Sequence, residues 1–273
     1  MNGAQATMGG KEGYQRICEW LQIRSGITYQ EKKKLLLVQR MQRVCETCGI
    51  SGIDALADLI ESNNNQDIQL KVLHAATTNH TYFFREPQVL DFFRDTILPT
   101  LPYNSGRIWS AAASTGNEAY TLAMIAAQTR GRDWAKNNLT ILGTDISEVV
   151  IAHAEAGIYN ASHVDQIPQS VLNGYFDPVG MGQYRVQDDL RRLCTFRRLN
   201  LKVSPYPFNK RFHAVFCRNV LYYFDREHQK DIVEAIYDVT EPGGWLLTSV
   251  TESLRDLETR WVPVQSGVYR KVP

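Results

Sequence analysis

Apolar residues in the first part of the chain recur at the spacing of an α-helix. One face of the first helix carries Tyr14, Ile17, Cys18 and Leu21, at positions i, i+3, i+4 and i+7. The same period returns in three later segments, separated by breaks rich in Ser, Gly or Asn, around residues 37–44, 56–60 and 68–73. No alternating strand pattern occurs here, so the sequence predicts a small helical domain over residues 1–76.

The pattern changes from residue 107 onwards, where short apolar runs alternate with helical segments. Buried strands are predicted at residues 107–111, 139–143, 212–217 and 245–250. Helices are predicted between them, at residues 120–128, 148–156 and 229–239. Strands that alternate with helices indicate parallel βαβ units. We therefore expect an α/β fold in which a doubly wound, Rossmann-like domain occupies residues 77–273.

One segment of this second domain breaks the strand–helix alternation. Residues 177–182 read Asp-Pro-Val-Gly-Met-Gly, which is typical of a turn. Apolar and polar residues alternate roughly with period two around it, at Tyr184 and Val186 and again at Leu193 and Thr195. The pattern predicts a small inserted antiparallel β-subdomain over about residues 165–200.

Charge and hydropathy narrow the class of protein. The net charge is +1, so the whole molecule is not built to attract nucleic acid. No segment approaches the roughly 18 consecutive apolar residues of a membrane span, and the first residues do not resemble a signal peptide. We expect a cytoplasmic protein that does not insert into a membrane.

The five cysteines are scattered, which does not indicate a disulfide framework. Cys45 and Cys48 form a C-x-x-C pair, which is compatible with redox chemistry or with half of a zinc site. No second pair of Cys or His stands at ligand spacing. We favour packing at the end of a helix and expect no bound metal.

Candidate chemistry lies where the first two strands end, because ligands of doubly wound sheets bind beyond the carboxyl ends of the strands. The first strand leads into a loop of small residues, 112–116, although its one glycine, Gly116, also suits an ordinary tight turn. Asp145 follows the second strand, where it either accepts hydrogen bonds from a ribose or caps the next helix. Glu118 suits a cationic ligand group better than a pyrophosphate.

Five stretches occur together and in order: T-T-N-H-T-Y-F-F-R-E, W-S-A-A-A-S-T-G-N-E-A-Y, G-T-D-I-S, L-N-L and F-C-R-N-V-L-Y-Y-F-D. In this the chain resembles the chemotaxis receptor glutamate O-methyltransferases of CheR type, from about Tyr14 to Tyr269. The resemblance implies an N-terminal helical domain and a Rossmann-like domain with a β-subdomain. It also implies S-adenosylmethionine as cofactor, S-adenosylhomocysteine as product, and chemoreceptor methylation helices as substrate.

The resemblance also implies the roles of individual residues. Arg85 and Tyr223 would face the methyl-transfer site. The cofactor would be held by Asn79, Thr81, Arg85, Glu118, Asp145, Asn200, Leu201, Arg218 and Asn219. The chain departs from the family pattern at two places. Asn117 stands where an acidic residue is common, and residues 249–252 read Ser-Val-Thr-Glu in place of G-H-S-E.

Two features concern the substrate. Lys32, Lys33, Arg40 and Arg43 fall on one face of a helix, which is either a solvated basic surface or, as the resemblance implies, the surface that docks acidic receptor helices. The loop at residues 177–183 is several residues shorter than in family members that hold a peptide tether at the receptor C-terminus.

We therefore expect a monomeric enzyme that does not use the tether. Two alternatives stay open from the sequence. One is a methyltransferase that acts on a small molecule or on another protein. The other is a cofactor-binding regulatory module that has lost catalysis.

Overall fold

A computed structural model describes residues 12–29, 33–62, 65–77 and 81–272. The chain divides into two compact units, residues 1–77 and 78–273. Within the described ranges, no helix combines the length and the apolar character needed to cross a membrane.

The first unit contains the four predicted helices: α1 (Gly13–Ser25), α2 (Lys34–Cys48), α3 (Ile53–Glu61) and α4 (Gln66–Ala76). Gly26 and Gly49 end α1 and α2 in the left-handed conformation, with φ of 76° and 66°. The side chains that face inward follow the helical period of the sequence: Ile17, Leu21, Leu37, Met41, Leu56, Ile60 and Val72 are fully buried. Cys45 and Cys48 lie in the last turn of α2.

The second unit begins with α5 (Pro87–Phe92), which continues as a π-helical turn (Phe93–Ile97) and α6 (Leu98–Thr100). Its strands are β1 (Gly106–Ala111), β2 (Leu139–Asp145), β3 (Ile158–Asn160), β4 (Phe176–Gly180), β5 (Gln183–Val186), β6 (Cys194–Arg198), β7 (Phe212–Cys217), β8 (Thr240–Leu247), β9 (Val262–Gln265) and β10 (Val268–Arg270). Its remaining helices are α7 (Asn117–Arg130), α8 (Arg132–Asn138), α9 (Glu148–Ala156), α10 (Ala161–Val164), α11 (Gln169–Tyr175), α12 (Asp188–Arg191) and α13 (Arg226–Asp238).

The large sheet has the strand order β6-β2-β1-β7-β8-β10-β9. The strands from β6 to β8 pair in parallel, whereas β10 and β9 are antiparallel at one edge. The predicted doubly wound α/β fold is confirmed. In this register Ala111 lies opposite both Thr144 and Cys217, and Asp145 lies opposite Arg198. The loops that leave β1, β2, β6 and β7 therefore start side by side at one edge of the sheet.

A second, three-stranded antiparallel sheet has the order β3-β5-β4 and confirms the predicted β-subdomain. Its predicted extent, about residues 165–200, is wrong at both ends. β3, at Ile158–Asn160, lies before the predicted start. Leu193 and Thr195 belong to the segment that enters β6, which pairs in parallel with β2 of the large sheet. An edge strand that is solvated on one face shows the same period-two alternation as a hairpin, and this is why the sequence pattern misplaced it.

Phe196 of β6 is buried and leaves little room at two nearby glycines, Gly143 within β2 and Gly116 in the loop after β1. A Cβ atom at Gly143 would lie 2.5 Å from Cδ1 of Phe196, and one at Gly116 would lie 3.1 Å from its Cζ. The aromatic ring thus occupies the space that larger residues would need at the carboxyl edge of the sheet.

Gly143→Ala should lower the free energy of unfolding by about 1–3 kcal/mol, because the new methyl group overpacks the site that Phe196 fills. Gly174→Ala on α11 is the control. A Cβ atom there meets no described atom within 4 Å. We expect this change to leave stability unchanged or to raise it by about 0.5–1 kcal/mol. Urea denaturation measures the free energy of unfolding of both variants. Equal values would show that Phe196 moves aside without loss of stability.

Candidate active site at the carboxyl ends of the strands

The loop after β1 is tightly folded and tied to the loop after β2. Ala112, Ser114 and Gly116 all have positive φ, at 63°, 50° and 88°. The backbone N–H of Ser114 donates to Oδ2 of Asp145 over 3.0 Å, and the N–H of Ser147 donates to Oδ1 over 3.0 Å. Ser147, not Asp145, is the N-cap residue of α9. The carboxylate of Asp145 therefore bridges two loops instead of capping the helix.

Asp145 is placed to accept further hydrogen bonds. Its side chain is almost fully enclosed, and burial raises the pKa of its carboxyl, although the backbone N–H groups of Ser147 and Ser114 act in the opposite direction. An ionised carboxylate offers about four acceptor positions, so these two backbone bonds leave capacity for the two hydroxyl hydrogens of a ribose. This geometry suits a nucleoside ligand.

Glu118 and Arg218 form a buried ion pair beneath the same loop. Oε2 of Glu118 lies 2.8 Å from Nη1 of Arg218, and Oε1 accepts the hydroxyl of Ser110 over 2.7 Å. The two charged side chains are 15% and 3% exposed. The negative charge expected to attract a cationic ligand group is thus shared with an arginine.

Three buried polar atoms at this edge are orphaned. Within the described residues, Oγ of Ser114, Nδ2 of Asn117 and Nε of Arg218 have no hydrogen-bond partner. Buried donors without a partner are costly. A polar ligand seated against the loops after β1 and β7 would satisfy them. The residues present therefore fit a nucleoside that carries an amino-acid group.

The residues assigned to the methyl-transfer site lie on two segments. Tyr223 belongs to a 3₁₀ turn (Leu221–Tyr223) after β7, and its hydroxyl lies 3.5 Å from that of Tyr222. The guanidinium of Arg85 stands 5.6 Å from the ring centre of Tyr82. Burial raises the pKa of Tyr222, while the positive charge of Arg85 opposes that rise. The positive charge of Arg85 therefore acts on Tyr222, the neighbour of Tyr223.

The other assigned residues are distributed as follows. Asn200 and Leu201 follow β6, the neighbour of β2, and the carboxamide of Asn200 accepts the N–H of Lys202 over 3.0 Å. Thr81 is half-buried at the start of the segment that leads to Arg85. Asn79, like Lys32 of the predicted basic face, lies outside the described residues.

Three further residues of this region have no role in the predicted site: Glu86, Tyr222 and Glu252. Glu86 and Glu252 are largely enclosed carboxylates, and each binds a loop that carries an assigned residue. Glu86 ends the first of the five family-like stretches, Glu252 ends the Ser-Val-Thr-Glu segment, and Tyr222 is half of a Tyr-Tyr pair. All three residues were visible in the sequence, but Glu86 and Glu252 both bind Asn219, which is 133 and 33 residues away along the chain.

Known proteins are similar to this chain over nearly its whole length. The family model "CheR methyltransferase, SAM binding domain" matches residues 79–269, and "CheR methyltransferase, all-alpha domain" matches residues 12–75. A chemotaxis protein methyltransferase of Borreliella burgdorferi is 31% identical over 252 residues, which is 90% of this chain and 89% of the relative. Chemotaxis protein methyltransferase 1 of Pseudomonas aeruginosa is 32% identical over 261 residues, 92% and 94% of the two chains.

The chemotaxis protein methyltransferase of Escherichia coli is 31% identical over 262 residues, which is 94% of this chain and 89% of the relative. The matched domain confirms S-adenosylmethionine, abbreviated SAM in its description, as the cofactor. The chain belongs to the CheR methyltransferase family of S-adenosylmethionine-dependent enzymes.

Proposed function

We propose that this enzyme transfers a methyl group from S-adenosylmethionine to glutamate side chains of chemoreceptor cytoplasmic domains. The products are glutamate methyl esters and S-adenosylhomocysteine. The observation that carries the proposal is the meeting of Asp145, Arg218 and Tyr223 at one sheet edge in a chain whose relatives are chemotaxis protein methyltransferases. Asp145 supplies an acceptor for a nucleoside in the loop after β2. Arg218 and Tyr223 supply a buried cation and a hydroxyl after β7, on the other side of β1.

The cofactor would lie across the loops that leave β1, β2, β6 and β7. Asp145 would accept the ribose hydroxyls, and Glu118 would face the cationic part of the ligand. The loops after β6 and β7 would enclose the base and the amino-acid group. Besides these two acids, the residues proposed to hold the cofactor are Asn79, Thr81, Arg85, Asn200, Leu201, Arg218 and Asn219.

Asp145→Ala should weaken S-adenosylmethionine binding by about 1.5–3 kcal/mol, because the ribose loses a charged acceptor. Glu148→Gln is the control, since Glu148 is a neighbouring acid that pairs with Arg198 at the surface. Calorimetry should show a large loss of affinity for the first variant and none for the second. Unchanged affinity in a folded Asp145→Ala protein would contradict the assignment of Asp145.

Methyl transfer to a carboxylate requires few catalytic groups of the protein. The carboxyl group of a free glutamate side chain has a pKa of about 4.3, so it is already an anion at neutral pH and needs no general base. When bound, S-adenosylmethionine supplies a methyl group on a positively charged sulfur. Arg85 would steer the substrate carboxylate, and Tyr223 would orient it by a hydrogen bond. Attack of the carboxylate on the methyl group cancels its negative charge against the positive charge of the sulfur, and exclusion of water favours this step. In-line alignment of the two groups supplies most of the remaining rate enhancement.

We propose further that the enzyme works without a receptor C-terminal tether. A tether peptide would add to the edge of the small sheet, where it needs strand hydrogen bonds and side-chain pockets. The edge strand β4 has only five residues, Phe176–Gly180, and Pro178 lacks a backbone donor. Met181 and Gly182 alone connect β4 to β5. This short hairpin offers a tether few contacts.

Incubation with labelled S-adenosylmethionine and receptor cytoplasmic fragments should give base-labile methyl esters on glutamate. Fragments with and without the C-terminal tail should be labelled at equal rates, since the hairpin offers few contacts. The isolated tail peptide should show no binding by titration. Absence of ester on any fragment would contradict the proposed substrate. Saturable micromolar binding of the tail, about −8 kcal/mol, would contradict tether independence alone.

The receptor would dock on a basic face that comprises the N-cap residue Lys33 with Arg40 and Arg43 of α2. Lys32, the fourth predicted member, lies outside the described residues. Lys33 and Arg43 are exposed. Arg40 is half-buried, and its guanidinium donates to the carbonyls of Ala76 and Thr77 over 3.2 and 3.3 Å, at the end of α4. Arg40 thus stabilises the helical unit as well as contributing charge. Two leucines of the same helix, Leu35 and Leu36, are 77% and 42% exposed and add apolar contact area.

Reversal of the exposed charges, Lys33→Glu with Arg43→Glu, should raise the apparent KM for receptor about three- to tenfold, because complementary charge speeds association. The affinity for S-adenosylmethionine should not change. The wild-type rate at low receptor concentration should fall as salt is added. The control is Lys136→Glu with Lys210→Glu. This is an equal change of charge near the amino ends of β2 and β7. Equal KM values for the two double variants would remove α2 from the docking surface.

A further inference from the structure

One enclosed carboxylate organises the turn that carries Asn219 and Tyr223. The side chain of Glu252 is buried, and Oε2 accepts the backbone N–H groups of Asn219 over 2.7 Å and of Ser249 over 3.2 Å. Its Oε1 accepts the N–H of Leu221 over 2.8 Å. Glu252 therefore holds the segment after β7 against the segment after β8 through three backbone donors.

A second carboxylate extends this connection to the segment that carries Arg85. Oε1 of Glu86 accepts Nδ2 of Asn219 over 3.0 Å and the hydroxyl of Ser249 over 2.9 Å. Its Oε2 accepts the N–H of Val250 over 3.2 Å. Burial alone would raise the pKa of Glu86, but the hydrogen bond from Asn219 and the charge of Arg218 lower it. Glu86 is therefore an anion at neutral pH and a permanent partner of the same turn.

The backbone of these segments is held in an unfavourable conformation. Phe84, Glu86 and Asn219 have φ values of 57°, 55° and 58°, in the left-handed region. Phe and Glu rarely adopt this conformation, whereas Asn tolerates it better. Such conformations persist where the surroundings over-determine them, and they concentrate at functional sites. The bonds to Glu252 and Glu86 are the surroundings that maintain Asn219 in this state.

We propose that Glu252 is a positioning residue for methyl transfer. Its carboxylate fixes the backbone of residues 219–221, so that the Asn219 side chain meets the cofactor and Tyr223 meets the substrate carboxylate. This inference rests on the proposed function for its substrate. The carboxylate suits the place because three N–H donors converge on its two oxygens. Burial raises the pKa of Glu252, and these backbone N–H groups oppose that rise. A glutamine would direct its own NH₂ group at some of them.

Glu252→Gln, which is nearly isosteric, should lower kcat for receptor methylation about tenfold or more, since small misplacements of reacting groups are costly. It should also raise the Kd for S-adenosylmethionine several-fold. The KM for receptor should stay within twofold, because docking takes place elsewhere. Asp225→Ala is the control. Asp225 is the N-cap of α13 and accepts the N–H of His228, so its loss destabilises the same region without contacting Glu252.

Hydrogen exchange supplies a readout that needs neither substrate nor cofactor. The amides of Asn219 and Leu221 should exchange at least tenfold faster in Glu252→Gln, while the amide of Ile232 in α13 should exchange as in the wild type. If Glu252→Gln does not fold, Glu252→Asp is tested in its place. The shorter side chain keeps the charge but withdraws the carboxylate from the turn, so the same changes in kcat, cofactor Kd and amide exchange are expected.

The proposal is overturned if the Glu252 variant matches Asp225→Ala in kcat, in cofactor Kd and in exchange at Asn219 and Leu221. It is also overturned if the variant changes only the KM for receptor. Exchange and cofactor binding are measured without receptor. A failure of the wild type to methylate receptor fragments would therefore contradict the proposed function, while faster exchange and weaker cofactor binding would still support the role of Glu252.

Discussion

Backbone N–H groups beyond the ends of parallel strands need acceptors, because the hydrogen-bond ladder of the sheet stops there. In this chain carboxylates from other loops accept these N–H groups, and the rest of the site depends on these bonds. Asp145 accepts the N–H of Ser114 from the loop after β1, and Glu252 accepts those of Asn219 and Leu221 from the turn after β7. The loops are thereby fixed without regular secondary structure. They stay side by side at the carboxyl ends of the strands, where ligands of such sheets bind.

The same solution sets the electrostatic character of the edge. Four acids of this edge are largely enclosed: Glu86, Glu118, Asp145 and Glu252. Glu86 and Glu118 pair with arginines, whereas Asp145 and Glu252 accept backbone N–H groups. Buried charges are costly unless they are paired or hydrogen-bonded. Arg218 meets this condition by contacting Glu118, Glu86 and the carbonyl of Arg85.

Much of the fold was predictable because secondary structure has a local signature. The helical period in residues 14–76 indicated four helices, and the alternation of buried strands with helices indicated the parallel sheet. The error at β6 has a physical cause. Period two reports that one face of a strand is solvated, and it does not report which strand lies beside it. The strand predicted at residues 245–250 is also displaced along the chain, since β8 comprises Thr240–Leu247.

For the site, the sequence by itself determined which residue types leave the strand ends: the small loop after β1, Asp145 after β2 and the Arg-Asn-Val-Leu-Tyr-Tyr stretch after β7. Only the tertiary structure decided their partners. Arg218 binds the carbonyl of Arg85, 133 residues away, and Glu252 binds Asn219 across 33 residues. The reason is that a periodic pattern records the burial of each residue along its own element. A hydrogen bond between loops depends on how the sheet orders its strands, and here that order brings β1 between β2 and β7.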